Sequence, residues 1–124
     1  MNILLDTHVA LWWFDGGDQL SAAAIDTIGR ANTVYVSAAS AWEVAIKSAL
    51  GKLSLPAPFE EGVERSKFTR LPITFAHATA ISSLPGHHAD PFDRMLIAQA
   101  VVENLSVVTR DKQLLAYGRP IIWA

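Results

Sequence analysis

The chain reads as an α/β domain, a parallel sheet covered by helices on both faces. Short apolar runs of strand character alternate with helical patterns along its 124 residues, the order expected of such a fold. The runs are continuously apolar rather than alternating with polar residues, as strands buried on both faces are. No repeat, linker or low-complexity stretch interrupts them, so residues 1–124 are expected to form one domain with a sizeable core.

The expected strands are Asn2 to Leu5, Thr33 to Val36, Leu71 to Ile73, Leu105 to Val108 and Ile121 to Trp123. After the first, a short helix can run through Val9 and Trp12, capped by Asp6 or Thr7. Ser21 can cap a helix reaching about Ala31, with Leu20 and Ile25 at hydrophobic-staple spacing and Asn32 to close it. Trp42, Ala45, Ile46, Ala49 and Leu50 follow the i, i+3, i+4, i+7, i+8 rule of a helix, and Gly51 stands where a left-handed cap is wanted. Further helices are expected over Phe59 to Phe68 and Phe75 to Leu84. The last long one opens at "ADPFDR", with Asp90 as its cap and Pro91 in the first position, where proline is favoured.

Composition narrows the function. Hydrophobic residues make up 51% of the chain, which argues against disorder. A formal charge of −2 gives no general footprint for nucleic acid, so any such binding must be local. The absence of cysteine excludes disulfides and thiolate metal sites. Neither a signal peptide nor an apolar run of the roughly 18 residues of a membrane span is present, so a cytoplasmic protein without membrane contact is expected.

The acids carry the chemistry. In "NILLDTH" the apolar strand ends abruptly in Asp6, and in "LSVVTRD" a second strand is followed by Asp111. In open α/β sheets ligands bind outside the carboxyl ends of the strands, where both residues would stand. Asp6 serves equally as a helix cap and Asp111 as a turn residue. Asp93, three residues after Asp90, resembles a capping-box acid. Glu43 has Lys47 four residues on, an ordinary helix pair, yet it borders the apolar stripe of its helix. If the four converge, their repulsion, about 4 kcal/mol for two charges 4 Å apart at an effective dielectric of 20, calls for a cation. Oxygen-only ligands favour a hard ion, Mg2+ or Mn2+, and such an ion serves phosphodiester hydrolysis.

"NILLDTH", "SAASAWEVAIKSALGKL" and "HHADPFDRMLIAQAVVENLSVVTRD" together resemble the signature segments of the PIN-domain family, and most closely its VapC-type toxins of bacterial toxin–antitoxin pairs. The resemblance spans nearly the whole chain. It implies a Rossmann-like, three-layer fold with five parallel strands, Mg2+- or Mn2+-dependent endoribonuclease activity on RNA, inhibition by a cognate antitoxin protein, and a homodimer. Its acidic quartet falls on Asp6, Glu43, Asp93 and Asp111 as catalytic and metal-binding residues. Asp90 and Thr109 match supporting positions beside the site. Lys47, Arg94, Arg110 and Lys112, with Lys52, are expected to hold RNA phosphates, and His87 and His88 are candidates for RNA contact. "LWWF" (Leu11 to Phe14) reads as core, with one of its two tryptophans available to a partner.

Two other classes compete. A signalling receiver domain has similar length and an acidic magnesium pocket, but it wants paired acids after its first strand and an aspartate after its third. Asp6 is instead followed by Thr7 and His8, and "LPIT" has no aspartate. The other is a catalytically inactive PIN fold used only for binding, against which the intact quartet argues.

Overall fold

The first strand is the centre of the molecule. In the computed structural model, which describes residues 1–86, 90–117 and 121–124, Ile3, Leu4 and Leu5 are fully buried. The strands are β1 (Asn2–Leu5), β2 (Thr33–Ser37), β3 (Thr69–Leu71), β4 (Ser106–Thr109) and β5 (Ile121–Trp123). They form one sheet in the order β3-β2-β1-β4-β5, with every pair parallel. Among the described residues the helices are α1 (Thr7–Phe14), α2 (Ala22–Arg30), α3 (Ala38–Ala49), α4 (Phe59–Arg65), α5 (Phe75–Ile81), α6 (Pro91–Glu103) and a 3-10 turn over Lys112–Tyr117.

Side-chain alternation divides the core between the two faces of the sheet. Ile3, Leu5 and Val108 join Val9, Ala24, Ile28, Phe59 and Val63 on one side, beneath α1, α2 and α4. Leu4 and Val107 join Leu96, Ile97, Ala100 and Leu114 on the other, beneath α6. This is the expected three-layer arrangement. At the α4 layer Gly62 lies under the Phe14 ring, where a Cβ would meet ring carbons at 2.7 Å.

Local signals set most of the boundaries. Ser21 caps α2 through the Ala24 N–H at 3.0 Å. Ser37 ends β2 and also caps α3 through the Ala39 N–H at 2.9 Å, so strand passes directly into helix. Gly51 closes that region with a φ of +73°, and Asn104 ends α6 in the left-handed conformation.

Some expected boundaries move. The third strand covers Thr69–Leu71 rather than Leu71 to Ile73, because Pro72 has no N–H to give the ladder. It is an edge strand followed by proline, unlike the central, aspartate-tipped third strand of a receiver. Helix α2 stops at Arg30 with Ala31 already extended, and Asn32 instead takes a hydrogen bond from the amino group of Met1. Helix α4 ends at Arg65, shortly before Lys67 turns left-handed at φ 58°.

Candidate active site

Strand order places the site. From β1 the chain builds outward on one side through β2 and β3, and on the other through β4 and β5. The crevice where that order reverses lies at the carboxyl ends of β1 and β4, the usual ligand position in an open parallel sheet. Asp6 directly follows β1, its N–H extending the ladder to the Val108 carbonyl at 2.9 Å. Asp111 stands just past the end of β4.

A cleft of about 420 Å³ at this point is lined by Asp6, Glu43, Asp93 and Asp111, together with Asp90, His8, Trp12, Lys47 and Arg110. The four expected acids, drawn from four separate segments, therefore face one space. Asp6 and Glu43 are nearly buried, 6% and 5% exposed. Among the described residues, no three acidic or imidazole side chains stand close enough to be a ready-made ion cage. The donor set is nevertheless all oxygen and excess negative, which suits a hard divalent cation.

Each acid is positioned by local structure. Asp6 is the cap of α1, its Oδ1 accepting from the His8 N–H at 3.2 Å. Its other oxygen accepts the Thr109 hydroxyl proton at 2.6 Å, and Thr109 is fully buried. The Thr109 oxygen in turn accepts the Asp111 N–H at 3.0 Å, so one hydroxyl couples two of the acids. Asp111 accepts from the Gln113 N–H at 2.9 Å, which starts the 3-10 turn. Next to Asp6, Thr7 donates to Ser40 at 2.8 Å and ties α1 to the helix bearing Glu43.

Asp90 is the cap of α6, as expected. Its Oδ1 accepts from the N–H groups of Phe92 and Asp93 at 2.8 and 3.3 Å, fixing the turn that carries Asp93. Glu43 receives the Lys47 ammonium at 2.6 Å.

The electrostatics follow from this packing. Burial pushes the Asp6 carboxyl above its ordinary value, and the Thr109 and His8 hydrogen bonds pull part of the way back. The bond to Glu43 raises the Lys47 ammonium, with further help from the charges of Glu43, Asp90 and Asp93. Lys47 thus stays cationic in the cleft.

The expected phosphate-binding cations divide. Lys47 and Arg110 line the cleft. Arg94 does not: its guanidinium donates to the carbonyls of Pro85 and Ile81 at 3.0 and 3.1 Å, and it reaches the Tyr117 hydroxyl at 3.4 Å, strapping the end of α5 to α6. Lys52 and Lys112 are exposed outside the cleft lining. His87 and His88 lie outside the described residues. His8 and Trp12, by contrast, line the cleft without having been singled out for it. Their signal was available, since i and i+4 on a helix that begins at Asp6 share its face. Both tryptophans of "LWWF" are half-buried. Trp12 lies under the Arg110 guanidinium at 4.5 Å, and Trp13 packs on Phe68 at 5.8 Å between centroids.

Comparison with known proteins is consistent with this geometry. Residues 3–120 match the family model described as PIN domain. Over 127 aligned positions the chain is 36% identical to Ribonuclease VapC22 of Mycobacterium tuberculosis, covering 96% of this chain and 94% of that protein. Among solved structures it is similar to VapBC2 from Rickettsia felis bound to a promoter DNA fragment, with a TM-score of 0.75, 13% identity, and coverage of 100% and 99% of the two chains. It is also similar to DNA-bound VapBC from Salmonella typhimurium, with a TM-score of 0.72, 16% identity, and coverage of 99% and 98%. At these identities the structural likeness speaks for the fold.

Proposed function

We propose, from the premise that this chain belongs to the PIN domain family, that it is an endoribonuclease toxin of a toxin–antitoxin pair, acting in the cytoplasm on RNA phosphodiester bonds. The observation that carries this reading is the meeting of Asp6, Glu43, Asp93 and Asp111 on one cleft at the switch point of the sheet. The ribonuclease relative, alike over nearly its full length, supports it. No helix among the described residues is long and apolar enough to cross a membrane.

In this reading the four acids would hold Mg2+ or Mn2+. Such an ion, when bound, supplies Lewis acidity to phosphate oxygens and a more acidic water. The protein's own groups do the rest. Thr109 orients Asp6 through the 2.6 Å hydrogen bond, and Asp90 fixes the first turn of α6 beneath Asp93. Lys47 and Arg110 place positive charge within the cleft, where a phosphate must approach against the acids.

The antitoxin follows from the same premise. A second groove, of about 660 Å³, runs between α1 and α4 and is lined by apolar residues including Leu11, Trp13, Phe14, Leu53 and Leu55. An amphipathic helix laid into such a groove is a common mode of peptide binding. A homodimer of the chain is part of the proposal.

The deciding experiment is a cleavage screen of total RNA, comparing Mg2+ with EDTA and the wild type with Asp93→Asn. Metal-dependent cutting by the wild type alone is expected. A folded protein that binds its partner but cuts nothing would instead be a catalytically inactive PIN module.

A further inference from the structure

Resting on the nuclease reading above, we propose that His8 and Trp12 form a base-stacking wall of the acidic cleft, against which an unpaired base of the RNA substrate is laid. The cleft is lined by two chemically different kinds of side chain, acidic and aromatic. Besides the acids its lining includes His8 and Trp12, which sit one helical turn apart, with ring centroids 6.0 Å apart and planes tilted by 43°. A phosphodiester held at the acids must put its neighbouring bases somewhere, and these are the aromatic surfaces of the same space.

The wall is geared to the acids. α1 is capped by Asp6, and at a rise of 1.5 Å per residue the backbones of His8 and Trp12 stand about 6 Å apart along the axis of the helix that this acid begins. That is the scale of a single nucleotide. Trp12 is held in place before any ligand arrives. The Arg110 guanidinium covers one side of the indole at 4.5 Å and is itself bonded to the carbonyls of Gln19 and Ala124. A ring fixed in this way loses little freedom when a base stacks on it.

His8 is exposed, so the open end of the aromatic pair faces solvent. A chain with net charge −2 has little general attraction for RNA, and stacking supplies affinity that charge does not. Stacking also selects the substrate form. A base in a duplex stays paired in its own stack, whereas a loop or single strand can turn a base outward onto aromatic side chains.

The test uses a labelled, unstructured oligoribonucleotide, with kcat and KM for cleavage in Mg2+ and affinity by anisotropy in EDTA. His8→Ala and Trp12→Leu are expected to raise KM and weaken EDTA-state binding about 10-fold, within the range for stacking on one ring. Their kcat should stay within about two-fold. His8→Phe and Trp12→Phe, which keep a flat ring, should restore KM to within about three-fold. Annealing the oligonucleotide to its complement should abolish most of the cleavage. Melting curves check folding, and exposed His8 keeps the test decisive if Trp12→Leu does not fold. If the wild type cleaves but His8→Ala keeps its KM, or His8→Phe fails as badly as His8→Ala, the wall is overturned. Absence of any cleavage by the wild type would instead remove the nuclease reading beneath it.

Discussion

Trp42 and Phe92 meet edge to face, with ring centroids 5.1 Å apart and planes at 74°. Each directly precedes an acid of the cleft, Glu43 and Asp93, so the contact sets the spacing of α3 against the start of α6. Trp42 is otherwise exposed, and its replacement opens no cavity in the core. Trp42→Ala is expected to cost about 0.5–1.5 kcal/mol of stability, the worth of an aromatic pair. It should also raise the Mg2+ concentration needed for half-maximal cleavage several-fold, with Trp42→Phe intermediate. A metal titration unchanged by Trp42→Ala would leave the pair a purely structural contact.

Asp93→Asn and Glu43→Gln should each lower RNA cleavage by orders of magnitude while the protein stays folded. Asp90, not Asp93, makes the cap hydrogen bonds of α6, so Asp93→Asn leaves the cap intact. Were Glu43 only half of a helix pair with Lys47, its loss would cost a few tenths of a kcal/mol and spare activity. Turnover measured beside melting temperature separates the two roles.

Thr109→Val removes the hydroxyl that lowers the Asp6 carboxyl and leaves the burial that raises it. The Asp6 pKa should therefore rise further, and the acid limb of the pH–rate profile should move to higher pH. Thr109→Ser should return it. A profile that keeps its acid limb in Thr109→Val would mean that another group sets it.

Metal-free protein should gain stability on mild acidification. Burial holds Asp6 above its ordinary value of 3.8, so the folded chain binds that proton more tightly than the unfolded chain. The resulting destabilisation is fully present above the folded pKa, shrinks as pH falls through it, and is gone below 3.8. At neutral pH, Mg2+ at ten times its dissociation constant should add about 1.4 kcal/mol. At roughly 4–8 °C per kcal/mol, melting temperature should rise by several degrees. Asp6→Asn should flatten both responses in melts with EDTA and with Mg2+; equal responses in wild type and variant would separate Asp6 from the metal.

Gly62→Ala should destabilise the protein although alanine favours helix. The new Cβ would lie 2.7 Å from Phe14 ring carbons, and that ring is also packed against Phe59 and Phe68. Overpacking of this kind typically costs about 1–3 kcal/mol, against about 1 kcal/mol gained in helix propensity. A melting temperature at or above wild type would show that Phe14 can move aside.

Much of the fold was legible because its signals are local. Strand ends, the Ser21 and Asp90 caps, Gly51 and the continuous apolar runs act over a few residues each, and they put all four acids at their places in the cleft. What escaped depends on distant partners. Arg94 looks like any surface cation until the Ile81 and Pro85 carbonyls are brought to it by the packing of α5 on α6. The shift of β3 was local after all: Pro72 lay inside an apolar run, and its missing N–H outweighed its hydrophobic neighbours. A buried histidine was equally hidden, His77 with buried Gln99 beside it and a 2.7 Å bond to the exposed Glu103, since a lone histidine in sequence does not show its burial.

The central place of the first strand bears on how the protein comes into being. β1 is made well before one of its two neighbours, β4, which begins at Ser106, and the last of the four acids arrives only at Asp111. Such distant pairings are slow to close. A nascent chain therefore carries the Asp6 carboxylate without a complete cleft around it until Asp111 has been made. The cleft thus forms late relative to the strand at its centre, since Asp6 can meet Asp111 only after β4 has been made and paired with β1.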